Sequence, residues 1–190
     1  MISMRKYYVI VAVFCLSLFS IRAEAQRFSL STNLLDYACL GTLNVEGSFS
    51  ATQHLSLTAG VKYNPFTFGK ADPERQMQLR QRSVSLGARI WPWHTWSGWW
   101  FAAKARLQEY NFGGILSRET REGNRFGAGL YTGYTHMLGA NFNIEFGLGL
   151  WGGLDIYDRY SCQVCGLTLD SGRKGFLLPD DLMISLVYVF

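Results

Sequence analysis

The final nine residues, Leu182-Met183-Ile184-Ser185-Leu186-Val187-Tyr188-Val189-Phe190, carry Leu182, Ile184, Leu186, Tyr188 and Phe190 at every second place. A period of two is the period of a β-strand with one apolar face. The same beat runs back through the chain. Phe142, Ile144, Phe146, Leu148 and Leu150 alternate with Asn143, Glu145, Gly147 and Gly149. Phe101, Ala103, Ala105 and Leu107 alternate with Ala102, Lys104, Arg106 and Gln108, and Val84, Leu86, Ala88 and Ile90 with Ser83, Ser85, Gly87 and Arg89. Leu55, Leu57, Ala59, Val61 and Tyr63 do the same, as does the run Leu43–Phe49. With less regular strands near 28–35 and 126–137, the expectation is eight strands.

A water-soluble antiparallel sheet also alternates, so the beat alone does not choose the solvent. Three further features do. The strands run to about nine or ten residues, the length a tilted strand needs to cross hydrocarbon. Short connections near 50–54, 92–98 and 138–141 alternate with long ones near 64–81, 111–125 and 152–180, the pattern of short periplasmic turns and long outer loops. The connection near 36–41 is short but lies on the long-loop side. Finally, Leu186, Tyr188 and Phe190 resemble the terminal-strand signal by which outer-membrane barrels are handed to their insertion machinery. The fold expected is all-β: an eight-stranded antiparallel transmembrane β-barrel of outer-membrane type, with both termini in the periplasm. Trp91, Trp93, Trp96, Trp99 and Trp100 around one turn, with Tyr63, Tyr110 and Trp151 at strand ends, read as two interfacial belts.

The 190-residue chain opens with Arg5 and Lys6, an apolar core over Tyr7–Ile21, and Ala23-Glu24-Ala25. That is the order of a secretory signal peptide, so residues 1–25 are expected to be removed and 26–190 to form the barrel. Composition agrees, with 15% aromatic residues and no mature apolar run long enough for a membrane helix. The formal net charge of +4 falls to +2 on loss of the signal, with the basic residues scattered. This excludes a nucleic-acid partner.

If the apolar faces meet lipid, the polar faces meet the lumen. Glu46, Lys62, Arg89, Lys104, Arg106 and Glu145 then point inward. Eight strands enclose only enough space for their own side chains. Buried charges at that spacing must pair, so a charge network plugging the lumen is expected, with a narrow solute path as the competing reading. Cys162 and Cys165 form Cys-x-x-Cys-Gly in the last long connection, with Cys39 in the first. A local Cys162–Cys165 disulfide suits an oxidising exterior. A metal site would want four ligands, and no histidine joins the cysteines, so no metal or cofactor is expected. His54, His94 and His136 fall in or beside the short turns. His54-Leu55-Ser56 shares one strand face, the His-x-Ser pairing of small outer-membrane lipid A deacylases. It lies at the periplasmic end, away from outer-leaflet lipid, and a general base must reach its substrate. No enzymatic activity is expected. Gly127-Ala128-Gly129 and Gly147-Leu148-Gly149 lack the following helix of a nucleotide loop. Arg75, Arg80, Arg82, Arg118, Arg121 and Arg125 lie near the expected outer rim, where guanidinium groups suit lipopolysaccharide phosphates.

Five blocks, in order, resemble one family: Thr32-Asn33-Leu34-Leu35, Tyr63-Asn64-Pro65-Phe66-Thr67-Phe68, Tyr110-Asn111-x-Gly113-Gly114-Ile115, Tyr160-x-Cys162-x-x-Cys165-Gly166 and Ser185-Leu186-Val187-Tyr188. They look like the domain of unknown function 3575 family. The resemblance implies a small outer-membrane barrel of Bacteroidetes and no catalytic residue; Asp36-Tyr37 departs from it by inverted order. The function expected is therefore a structural or surface-interaction role, exercised through loops 64–81, 111–125 and 152–180. The alternatives are a narrow small-solute channel and a lipid-modifying enzyme. Expected partners are outer-membrane lipid and lipopolysaccharide, the insertion machinery, and a surface or fimbrial protein.

Overall fold

The computed structural model describes residues 26–69, 76–114, 119–161 and 167–190, residue 181 by its backbone alone. The expected signal peptide and the Cys162–Cys165 pair lie outside the described residues.

The described chain is one antiparallel sheet. Its strands are β1 (Phe28–Asn33), β2 (Leu43–Thr52), β3 (Leu55–Asn64), β4 (Thr67–Phe68), β5 (Met77–Ile90), β6 (Gly98–Gly113), β7 (Thr120–Met137), β8 (Phe142–Tyr160) and β9 (Thr168–Val189). Neighbours follow chain order, and β1 pairs with β9 from Ser29↔Val189 to Asn33↔Ser185. β3 pairs with β5 from Leu55↔Ile90 to Asn64↔Gln81. The hydrogen bonding thereby returns on itself, through β1, β2, β3, β5, β6, β7, β8 and β9. The sheet has nine strands where the sequence predicts eight. The addition is the two-residue β4, which pairs only with the upper end of β5.

Two further corrections concern length. The strand expected over 28–35 ends at Asn33, and Leu34–Ala38 forms a short helix, α1. The side chain of Asn33 is the reason: its Oδ1 accepts the Leu35 N–H at 3.2 Å, capping α1, and the Ile184 N–H at 3.1 Å. Leu40 and Gly41, both at positive φ, then turn the chain back into β2.

The expected long loops are mostly strand. β6, β7, β8 and β9 run 16, 18, 19 and 22 residues, and absorb 111–113, 120–125, 152–160 and 168–180. Beyond about ten residues the apolar-out pattern is lost on β6 and β7, whose outward positions turn polar, while β8 keeps Leu154 and Ile156 outward. Arg82 faces Glu109, and Asn111 faces Glu122, on one face; Tyr110 and Asp155 lie on the other. Such a stretch reads as a loop in the sequence, yet an antiparallel ladder carries it where the outer polar groups are exposed and inner ones, such as Asp155, are hydrogen-bonded.

The two faces of the closed sheet differ sharply. Leu43, Val45, Leu57, Val61, Val84, Leu86, Phe101, Leu107, Leu130, Phe146, Leu148 and Leu150 all lie exposed on the outside. Among the described residues, eighteen polar or charged side chains are buried against ten hydrophobic ones, so the interior is the polar side.

Candidate functional site

The interior is filled in tiers from the end with the short connections. At the bottom sit Trp91, Trp96, Trp100, Val187 and Val189. The Trp91 indole N–H donates to Ser56 Oγ at 2.9 Å, and Trp96 donates to the Gln26 carbonyl at 2.9 Å. This corrects the expected belt. Trp91 and Trp100 are 0% exposed, and Tyr110 and Trp151 are also interior, whereas Trp93, Trp99 and Tyr63 point out. Strand parity decides it: Trp100 precedes outward Phe101, and Trp151 follows outward Leu150. Glycines make room for the rings. A Cβ on Gly149 would stand 2.1 Å from the Tyr131 ring, and one on Gly133 2.4 Å from Trp100.

The next tiers hold all six charges that the alternation sends inward. Arg89 bonds Glu145 at 2.9 Å and also Glu46, which in turn takes Lys104. Thr135 Oγ1 donates to Glu145 at 3.0 Å. Arg106 meets Asp180 at 2.8 Å, and the Tyr131 hydroxyl donates to the same carboxylate at 2.6 Å. Lys62 reaches Asp36 on α1 at 2.8 Å. The cations also lie over interior rings: Arg89 over Trp100 at 4.5 Å, Lys104 over Tyr131 at 5.2 Å and Arg106 over Trp151 at 5.1 Å. The sequence reading missed Asp36 and Asp180, since one lies on the unexpected helix and the other in a stretch read as loop.

The uppermost tier belongs to the extended halves of β6–β9. Asp155, fully buried, accepts from the Tyr110 hydroxyl at 2.7 Å and Arg121 Nη2 at 2.9 Å, with Arg125 Nε 3.3 Å away. Arg121 lies 4.0 Å over the Tyr157 ring and Arg125 4.0 Å over the Tyr110 ring. Of the rim arginines, Arg121 and Arg125 therefore face the interior. Arg80 and Arg82 are exposed on the outer wall, where Arg82 pairs with Glu109. Arg75 and Arg118 lie outside the described residues.

The histidines are not brought to any of these charges. His54 and His94 stack at 5.9 Å beside the short connections, and His54 Nδ1 lies 3.0 Å from the Trp91 carbonyl oxygen. Ser56 is engaged by Trp91 inside the ring. Cys39 is a free, exposed cysteine just after α1. Among the described residues no group of three or more His, Cys, Asp or Glu is placed to hold a metal. Leu186 is exposed on the outer wall, and Tyr188 and Phe190 stack on each other at 5.9 Å.

No curated protein matches this sequence. A family model described as "Protein of unknown function (DUF3575)" matches residues 10–190, and the chain belongs to that family.

Proposed function

We propose that the chain is a non-enzymatic outer-membrane β-barrel of eight membrane-crossing strands. Its task is structural or one of surface interaction, exercised by the strand extensions that stand above the bilayer. The observation that carries this reading is the inverted burial: polar side chains inside the closed ring, apolar ones outside it. An exposed apolar surface this continuous needs a cover, and hydrocarbon is a cover that also requires every backbone group to be paired within the wall.

The outer wall has the dimensions of that cover. On β5 to β8 the outward positions carry no Asp, Glu, Lys or Arg until Arg82, Glu109, Glu122 and Asp158. Below Arg82 and Glu109 lie about ten residues of β5 and β6 (83–90 and 98–108), and at a tilt near 40° ten residues rise about 25 Å, the height of an outer-membrane apolar band; β7 and β8 run on to Glu122 and Asp158. Exposed Phe28, Phe49, Trp99, Tyr134 and Phe142 then mark the periplasmic edge. Arg80 and Arg82 stand at the opposite edge, at the height of lipopolysaccharide phosphates. Leu186, Tyr188 and Phe190 are positioned on the outside of the last strand, where the insertion machinery would read them.

The interior argues against a pore and against catalysis. The Arg89–Glu46–Glu145–Lys104 cluster, the Arg106–Asp180 pair and the Trp91–Trp100 layer stack across the lumen. The His54–Ser56 pair lies at the far end from outer-leaflet lipid, with its serine occupied. The purified full-length protein, incorporated in a planar bilayer, is expected to give no steady large conductance. A reproducible large open state would replace the plugged barrel with the solute channel.

A further inference from the structure

The uppermost tier inside the ring carries more positive charge than its carboxylates answer. Arg121 and Arg125 share the single buried Asp155. Arg159 stands directly opposite Arg121 in the β7–β8 ladder, and like charges so placed repel. Arg159 reaches Glu119 only at 3.6 Å, with both side chains nearly half exposed. Lys174, opposite Asp155 in the β8–β9 ladder, lies 5.4 Å from the Tyr157 ring centre. Asp170, opposite Arg159, accepts the Tyr157 hydroxyl at 3.1 Å.

The hydrogen-bond accounting points the same way. The Nε atoms of Arg121 and Arg159 are buried without a hydrogen-bond acceptor among the described residues, and that of Arg125 has only an ion-pair contact with Asp155 at 3.3 Å, outside hydrogen-bond geometry. Buried unsatisfied donors are uncommon and costly, about 1–3 kcal/mol each. Three guanidinium donors gathered in one tier call for one acceptor with several oxygens and more than one negative charge. The guanidinium planes of Arg121 and Arg125 are already fixed by stacking on Tyr157 and Tyr110, so little freedom is lost when they engage such a group.

We propose that the mouth of the ring binds a phosphate monoester carried by a soluble ligand, held by Arg121, Arg125 and Arg159 with Lys174 beside them. Phosphate supplies three acceptor oxygens and close to two charges at neutral pH, which a single carboxylate does not. The ligand is soluble because these side chains face the interior. A lipid headgroup would instead meet the outer wall, where Arg80 and Arg82 lie. The site depends on the closed ring and not on what covers its outside, so its failure leaves the membrane reading untouched.

The test is calorimetric titration of the folded full-length protein in detergent micelles, with glucose 6-phosphate as probe and glucose as control. Saturable binding of the phosphate ester alone is expected. Arg125→Gln and Arg121→Gln each weaken it by about tenfold, the loss of one charge-assisted hydrogen bond. Asp155→Asn strengthens it several-fold, because the competing carboxylate is neutralised while the Tyr110 hydroxyl keeps an acceptor. That rise is a signature a merely structural cluster would not give, and it keeps the test decisive if an arginine variant fails to fold. Arg82→Gln on the outer wall leaves binding unchanged. No saturable binding by the native protein, binding untouched by Arg125→Gln, or binding lost in Arg82→Gln alone would each overturn the proposal. Capture of phosphatidic acid vesicles without binding of glucose 6-phosphate would overturn it equally, in favour of a lipid site on the outer wall.

Discussion

Arg89→Met lowers the stability of the folded chain by about 3–5 kcal/mol, the cost of removing one partner from a buried charge cluster. Arg89 bridges two strands' carboxylates, Glu46 on β2 and Glu145 on β8, and packs over Trp100. Without it Glu145 keeps the Thr135 hydroxyl as a side-chain donor but loses its arginine, in a position almost wholly shielded from water. Glu46 retains Lys104. The penalty therefore comes from the stranded Glu145 carboxylate, and methionine fills most of the vacated volume. The double variant Arg89→Met with Glu145→Leu should accordingly recover much of the loss, since a buried pair replaced on both sides is often neutral. Urea unfolding followed by tryptophan fluorescence in detergent or vesicles measures both. A single variant as stable as the native chain would mean that the interior is wet enough to solvate Glu145 by itself.

Leu130→Arg on the outer wall costs about 2–4 kcal/mol in a bilayer, the depth-dependent price of an arginine near the midplane. Leu130 is 73% exposed, about halfway between outward Tyr134 and the first outward polar residues, Asn124 and Glu122. In a water-soluble sheet that same substitution at so exposed a position falls within about 0.5 kcal/mol of neutral. The two solvents thus give separable answers from one variant, read as the shift in unfolding midpoint between vesicles and native protein. Arg substituted for Asn124, at the charged rim, should cost far less than at Leu130 in the same vesicles.

The closed antiparallel sheet was legible because its lower half obeys one rule: apolar out, polar in, with period two. That rule placed Glu46, Lys62, Arg89, Lys104, Arg106 and Glu145 inside together. It failed where its physical cause ceases. Above Arg82 and Glu109 the outward positions of β6 and β7 become polar, and strands of 16 to 22 residues looked like loops. Asp155, Tyr110 and Arg125 were lost with them. Asp180 was hidden for a second reason: the β8–β9 register shifts between Gly147 and Gly149, so parity counted back from Phe190 no longer holds there. The tryptophans failed differently. An indole suits both a headgroup belt and a layer under a guanidinium, and clustering suggested the first. Counting parity from Phe101 and Leu150 would have sent Trp100 and Trp151 inward, beneath Arg89 and Arg106. The helix α1 gave no periodic signal at all, its five residues being set by one asparagine cap.

The most direct test of the account is spin-label accessibility along one strand in lipid vesicles. Single cysteines at positions 146, 148, 150 and 158, in a chain whose native cysteines are serine, carry the label. Labels replacing outward Phe146, Leu148 and Leu150 are predicted to collide freely with oxygen and hardly at all with a water-soluble nickel complex, while one at Asp158, at the charged rim, meets the nickel complex freely. Free access of the nickel complex to the three outward labels would contradict it, because water, not lipid, would then cover the apolar face.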